Sequence, residues 1–135
     1  MKELVLEAKL DKIPELTAVI DTELEALDCP MKAQMQIDVA VDELYSNIAR
    51  YAYPDGDGTV TVHLEAEESP ASYSITFIDS GVPFDPLAQT EPDTSLDADS
   101  RPIGGLGILL VRRTMDEVTY CYKDGKNVLR IKKIF

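Results

Sequence analysis

Residues 59–79, TVTVHLEAEESPASYSITFID, contain two strand-like stretches separated by Ser69-Pro70. From Thr59 to Glu67 every second residue is apolar, and from Ser72 to Asp79 the chain is rich in Tyr, Ile, Thr and Phe. A period of two is typical of a strand with one buried face, and the second composition favours strands. The sequence therefore predicts two antiparallel strands joined by a short hairpin.

Two helices are predicted on the N-terminal side of this hairpin. Residues 4–10 still alternate as a strand does, but from Ile13 the apolar residues recur every three or four positions, and they do so again from Ile37 to Ile48. This spacing is typical of amphipathic helices. The second helix should end before Tyr53-Pro54, because proline disfavours helical geometry in the residue before it.

The C-terminal side adds one helix and two strands. The helix follows Gly104-Gly105-Leu106-Gly107 and ends near Met115, and the strands are expected at 117–123 and 128–135. Together the elements predict an α+β fold, a two-layer α/β sandwich whose mostly antiparallel sheet is covered by helices on one face. A chain of 135 residues fits one domain, 1–135.

Composition excludes several function classes. The chain has 25 Asp and Glu against 13 Lys and Arg, a net charge of −12, which argues against nucleic-acid binding. Seven basic and three acidic residues lie between 112 and 135, so this tail carries +4 and the first 111 residues carry −16.

The sequence also lacks the patterns of a secreted or membrane protein. The two cysteines lack CxxC spacing, no apolar run approaches the roughly 20 residues of a membrane span, and the N-terminus lacks a signal-peptide pattern. We expect a cytoplasmic protein that contacts neither nucleic acid nor membrane.

Glu43 and Asn47 form a first candidate motif. They are four residues apart on the second predicted helix, so both side chains lie on one face. A carboxylate can accept a proton, and an amide oxygen can ligate Mg²⁺. The alternative is a solvated helix face with a weak hydrogen bond between the two side chains.

Two further motifs contain glycine. Asp79 ends a predicted strand and is followed by Gly81; the carboxylate could accept a hydrogen bond from an exocyclic amine, and glycine would let a flat ring approach the backbone. The alternative is a proline-stiffened turn. The segment 104–107 opens a helix, where free backbone N–H groups suit a phosphate, although a flexible hinge is the alternative. It matches neither a Walker A loop nor a dinucleotide-binding motif.

In combination, ELYSN at 43–47, DSGVPFDP at 79–86 and GGLG at 104–107 resemble the N, G1 and G2 boxes of the GHKL (histidine kinase-like) ATPase superfamily. Within it the chain resembles the anti-sigma regulatory factors, which are serine-protein kinases of bacterial partner-switching systems. The resemblance extends over residues 4–135. It implies a Bergerat (GHKL) ATP-binding fold with an ATP lid at about 87–103, and ATP and Mg²⁺ as cofactors.

The resemblance also implies roles for residues of the first two motifs. Glu43 would be the catalytic base that takes the proton of a substrate serine, and Asn47 would hold the Mg²⁺ that bridges the ATP phosphates. Asp79 would bind the adenine amino group, with Gly81 supporting the ring. The chain departs from the family at Tyr51, four residues after Asn47, where a histidine is common.

The third motif and the lid would bind the phosphates. Gly104, Gly105, Leu106 and Gly107 would present their backbone N–H groups to the phosphate oxygens. Arg101 is the basic residue of the lid and would contact the β- or γ-phosphate.

The function implied by the resemblance is that of an ATP-dependent serine-protein kinase and anti-sigma factor. It would bind a sigma factor in one state and phosphorylate a STAS-domain anti-anti-sigma factor on serine in the other. Two alternatives stay open: a non-catalytic, ATP-gated partner-binding module, and the detached ATPase domain of a histidine kinase. Relatives commonly form homodimers, and the acidic first 111 residues suggest a docking face for a basic partner such as a sigma factor.

Overall fold

The computed structural model describes residues 1–88 and 105–135. The expected ATP lid beyond Ala88, with Arg101 and Gly104, lies outside these residues. Single 3₁₀ turns precede α1 and follow β3. The strands and helices are β1 (Lys2–Glu7), α1 (Ile13–Ala26), α2 (Met31–Tyr51), β2 (Thr59–Glu68), β3 (Ala71–Asp79), α3 (Gly105–Thr114), β4 (Glu117–Lys123) and β5 (Lys126–Ile134).

Within the described residues, five strands form one sheet in the order β1-β2-β3-β5-β4, and every neighbouring pair is antiparallel. The α+β prediction is therefore confirmed. Strand β5 begins two residues earlier than expected, because Asp124 and Gly125 have φ angles of 54° and 76°. A two-residue turn with positive φ at both positions matches the twist of a hairpin, so Lys123 and Lys126 already form a strand pair.

The helices cover one face of the sheet and bury the hydrophobic core against it. The strand-like alternation predicted over residues 4–10 is only partly a strand: β1 ends at Glu7, and Leu10 belongs to a 3₁₀ turn. No helix in the part of the chain that the structure describes is long and apolar enough to cross a membrane. The largest fully buried apolar side chains are Leu16, Ile20 and Leu24 of α1, Ile37, Val41, Leu44 and Tyr45 of α2, Leu64, Tyr73, Ile75 and Phe77 of β2 and β3, and Ile131 of β5.

Three features of this architecture bring the sequence motifs together. The β3–β5 register sets Asp79 opposite Asn127. The loop after β3 packs on the end of α2, where the Val82 N–H donates to the Ala52 carbonyl at 2.8 Å. Helix α3 packs beside α2. The C-terminal half of α2, the loop after β3 and the ends of β4 and β5 thus surround one recess.

Candidate functional site

The recess is largely apolar, with a few polar side chains at fixed positions, as is typical of small-molecule sites. The C-terminal half of α2 forms one wall, the segment after β3 a second wall, and β4 and β5 the floor. Its lining residues are Leu44, Asn47, Ile48, Tyr51 and Ala52, then Asp79, Val82, Phe84 and Pro86, and finally Tyr120, Asn127 and Leu129.

Asp79 is a buried carboxylate held in one orientation. It is 5% exposed, and its Oδ1 atom accepts two hydrogen bonds, from the Gly81 N–H at 2.9 Å and from Asn127 Nδ2 at 3.0 Å. Two donors on the same oxygen fix the plane of the carboxyl group. The second oxygen, Oδ2, is then the hydrogen-bond acceptor that Asp79 can offer to a ligand in the recess.

Asn127 ties Asp79 to the loop that follows it. Besides its bond to Asp79, its Nδ2 donates to the Val82 carbonyl at 2.9 Å. Its Oδ1 accepts from the Phe84 N–H at 3.1 Å and from the Tyr120 hydroxyl at 2.5 Å. All the hydrogen-bonding groups of this buried amide are therefore used, so the side chain acts as a rigid support for the recess.

Gly81 is a glycine because the backbone passes close to α2. A Cβ atom at this position would overlap the Ala52 carbonyl group, so a larger residue would push the loop off the helix. The close approach that the structure records at Gly81 is thus to Ala52. Its support of an adenine ring stays a prediction.

Tyr51 and Phe84 form an aromatic wall of the recess. Their ring centroids are 6.1 Å apart with an interplanar angle of 33°, within the range of favourable aromatic pairs. At position 51 the resemblance described above implies histidine, and this chain has Tyr51. In this chain the position contributes to the wall of the pocket.

Glu43 lies one helical turn before Asn47 and is half-buried. Asn47 Nδ2 donates to Glu43 Oε1 over 3.4 Å, a long hydrogen bond. Burial raises the pKa of the Glu43 carboxyl, and the negative charge of Asp42 adds to the effect; the Asn47 hydrogen bond and the positive charge of Arg50 oppose it. A carboxylate with a raised pKa is a stronger proton acceptor than a solvated one.

Gly107 brings α3 against this carboxylate. A Cβ atom at Gly107 would overlap the Glu43 carboxyl group, so the backbone of α3 lies in direct contact with it. Helix α3 begins at Gly105, and its first turn is where unpaired N–H groups and the positive end of the helix dipole are found. Glu43 therefore lies beside an end of a helix that suits anions.

The chain also matches known proteins. A family model described as a histidine kinase-like ATPase domain matches residues 6–133. The chain belongs to this family. It is 26% identical over 100 residues to the serine/threonine-protein kinase BtrW of Bordetella bronchiseptica, a match that covers 74% of this chain and 70% of BtrW.

Other relatives of this chain are named serine-protein kinase RsbW. The RsbW of Listeria monocytogenes is 31% identical over 101 residues, covering 71% of this chain and 63% of the relative. The RsbW of Bacillus cereus is 29% identical over 100 residues, covering 71% of this chain and 61% of the relative. The match therefore spans less than two thirds of the length of either RsbW.

In this member of the histidine kinase-like ATPase family, residues of all three sequence motifs meet. Asn47 and Asp79 line the same recess, and Glu43 links Asn47 to Gly107. Within residues 1–88 and 105–135 no group of three or more His, Cys, Asp or Glu side chains could hold a metal ion.

Sequence reasoning missed the support residue Asn127 and the aromatic wall. Asn127 lies in the turn segment DGKN, which by itself indicates only a hairpin. Its role becomes visible once β5 is paired with β3, because the register sets it opposite Asp79. A signal was present in the chain, since Asn127 is an amide directly before a strand that was predicted to lie in the same sheet as the Asp79 strand.

Proposed function

We propose that this chain is an ATP-dependent serine-protein kinase that phosphorylates a STAS-domain anti-anti-sigma factor and binds a sigma factor in its alternative state. The observation that carries the proposal is the position of Glu43, a carboxyl group of raised pKa lying against Gly107 of α3. A proton acceptor beside an anion-binding helix end is what transfer of a phosphoryl group to a hydroxyl requires.

Asp79 would select the base of the nucleotide. Its Oδ1 is saturated by Gly81 and Asn127, so Oδ2 would accept a hydrogen bond from the 6-amino group of adenine. Guanine carries a carbonyl oxygen at that position, which a carboxylate repels. The apolar and aromatic lining from Tyr51 and Phe84 would bury the ring, which supports ATP as the nucleotide.

The triphosphate would extend from this base pocket toward α3. The first turn of α3, including Gly105, Leu106 and Gly107, would offer backbone N–H groups to the phosphate oxygens. Gly104 and Arg101 belong to the same proposal from the sequence alone.

Asn47 fits the role of the Mg²⁺ ligand. It is 7% exposed, and because its Nδ2 donates to Glu43, its Oδ1 is left as a hard oxygen ligand in the recess. Mg²⁺ commonly takes few protein ligands and completes its shell with phosphate oxygens and water. When bound, the ion would neutralise negative charge on the phosphates.

Glu43 would act on the acceptor. Its carboxylate would take the proton of the serine hydroxyl while the serine oxygen forms a bond to the γ-phosphorus. The bond from that phosphorus to the β–γ bridging oxygen breaks, and ADP leaves with the electron pair. The protein supplies positioning and a proton acceptor, which is the main requirement of such a transfer.

The sigma-factor part of the proposal rests on the sequence resemblance and on the charge of the chain. The first 111 residues carry −16, since the seven basic and three acidic residues of the tail leave that balance. An acidic surface favours a basic partner at low ionic strength. A sigma factor acts in the bacterial cytoplasm, which is where the chain would meet it.

A transfer assay tests the proposal. The purified chain is incubated with γ-³²P-ATP and with each STAS-domain protein of the same genome. We expect label on one of them, stable to acid as phosphoserine is. Bound nucleotide without transferred label would instead support the partner-binding module, and acid-labile label would support the histidine kinase alternative.

A further inference from the structure

A second recess lies on the other side of Glu43, between α2 and α3. It is open, and four large apolar side chains in it are between 46% and 68% exposed: Met31, Met35, Val39 and Leu110. Lys32, Gln36 and Thr114 complete its lining. We name these seven residues the docking groove. Contiguous exposed apolar surface of this kind marks interaction sites.

The helix register connects the docking groove to Glu43. Met31, Met35 and Val39 follow each other at intervals of four, and Glu43 is the next residue in the series. On α3, Leu110 comes three residues after Gly107. Residues three or four apart are neighbours on a helix surface, and each step of four turns about 40° around the axis, so Val39 and Met35 lie nearest the Glu43 face and Met31 lies further round. With a rise of about 1.5 Å per residue, the groove begins about 6 Å from Glu43 and extends to about 18 Å from it.

The nucleotide recess begins on the opposite side of the same carboxylate. One turn after Glu43, Asn47 lines that recess, followed by Ile48 and Tyr51. Glu43 therefore stands between two recesses with different properties. One is a pocket with fixed polar groups, and the other is an open apolar surface long enough for a protein segment.

We infer that the docking groove binds the protein substrate itself. An apolar segment beside the phosphoacceptor serine packs on Met35, Val39 and Leu110, which delivers the serine hydroxyl to Glu43. This inference rests on the proposed kinase function, since it assigns the second reactant of that reaction to the second recess.

Charge sets the orientation of this partner segment. Among the seven residues of the docking groove, Lys32 is the one with an ionisable side chain, and it lies at the end far from Glu43. At the near end, Asp42 and Glu43 are acidic. A segment with a carboxylate remote from its serine therefore pairs with Lys32 and keeps its negative charge away from Glu43. The substrate class is a protein whose serine is flanked by apolar residues and, further away, by an acidic one.

The test compares two double variants in the transfer assay. M35A/V39A removes most of the Met35 and Val39 side chains from the groove, and alanine has a high helix propensity at these exposed positions. V5A/L10A removes side chains that are 61% and 47% exposed outside the groove. We expect M35A/V39A to raise the concentration of STAS-domain protein at half-maximal transfer by about tenfold or more, with the maximal rate and the ATP affinity unchanged. V5A/L10A should behave as the wild type.

The charge variant K32E should also raise the half-maximal concentration, and more strongly at low salt. A half-maximal concentration that is unchanged in M35A/V39A overturns the docking groove while the kinase function stands, provided that the wild type transfers phosphate. If the wild type transfers phosphate to no protein, the proposed function fails, and the docking inference fails with it.

Discussion

The Glu43 carboxyl group on α2 occupies the space that a side chain at position 107 on α3 would need. Glycine at 107 is thus required by contact with Glu43. The two residues belong to different sequence motifs and are 64 positions apart in a chain of 135 residues. Their contact joins the two motifs into one site.

G107A should reveal this contact as an energetic coupling. The added methyl must displace the Glu43 carboxyl or separate α2 from α3, so we expect the free energy of unfolding to fall by about 1–3 kcal/mol. In an E43A background the space is free, and the same substitution should cost far less. Urea unfolding of the four proteins of this cycle measures the coupling. Equal costs in both backgrounds would contradict the contact.

D79N should change the nucleotide preference. The amide that this substitution introduces would keep its Oδ1 on the donors of Gly81 and Asn127, which turns its NH₂ group toward the ligand. This group donates to the carbonyl of guanine and repels the amino group of adenine. We expect the affinity for ATP to fall by about tenfold or more and that for GTP to rise. Competition binding with both nucleotides checks this, and an unchanged ATP-to-GTP ratio would refute the role of Asp79.

N127A should destabilise the fold and weaken nucleotide binding together. It leaves the Val82 carbonyl and the Phe84 N–H without their partner, and a buried unsatisfied group costs about 1–3 kcal/mol. Y120F is the matched control, since Asn127 Oδ1 still accepts from Phe84 in that variant. We expect Y120F to cost about 1 kcal/mol and N127A clearly more. Denaturant unfolding and titration with a fluorescent ATP analogue give both values.

Asp38 predicts a pH dependence of stability. Burial and a hydrogen bond with Asp21 raise the pKa of Asp38 from 3.8 to about 7, and buried oxygens of both side chains lack any other donor among the described residues. Between these two pH values the native protein holds a proton that the unfolded chain has released. The contribution of this pair to the free energy of unfolding therefore falls as pH rises from about 4 to about 7.

D38N isolates that contribution, because the amide donates to Asp21 at every pH. We expect D38N to match the wild type near pH 4 and to be more stable than it at pH 8. D42N, which changes an exposed carboxylate on the same helix, controls for net charge. Urea unfolding at the two pH values decides, and a stability difference between D38N and wild type that is the same at both would contradict the shared proton.

The fold was predicted well because short local patterns in the sequence indicate each strand and helix. Alternation from Thr59 to Glu67 and the helical spacing from Ile37 to Ile48 indicate which side of each element is buried, and the structure buries those sides. Ends were less exact, since the Asp124-Gly125 turn is shorter than the turn-forming segment around it.

Only the part of the candidate site that lies in local sequence motifs could be predicted. Glu43, Asn47 and Asp79 could be grouped because their motifs resemble a known combination. The structure places Asn47 and Asp79 in one recess, and it joins Glu43 to Asn47 by a hydrogen bond. The support from Asn127 depends on strand register, and the Tyr51–Phe84 wall depends on a loop folding back on α2. Both are long-range features that a local pattern does not contain.

Single-turnover phosphate transfer by E43Q decides whether Glu43 is the proton acceptor, with E25Q, an exposed glutamate on α1, as the matched control. We expect E43Q to bind ATP as the wild type does and to transfer phosphate to the STAS-domain serine at least about 100-fold more slowly, while E25Q keeps the wild-type rate. Transfer by E43Q at the wild-type rate would contradict the assignment of Glu43 as the proton acceptor.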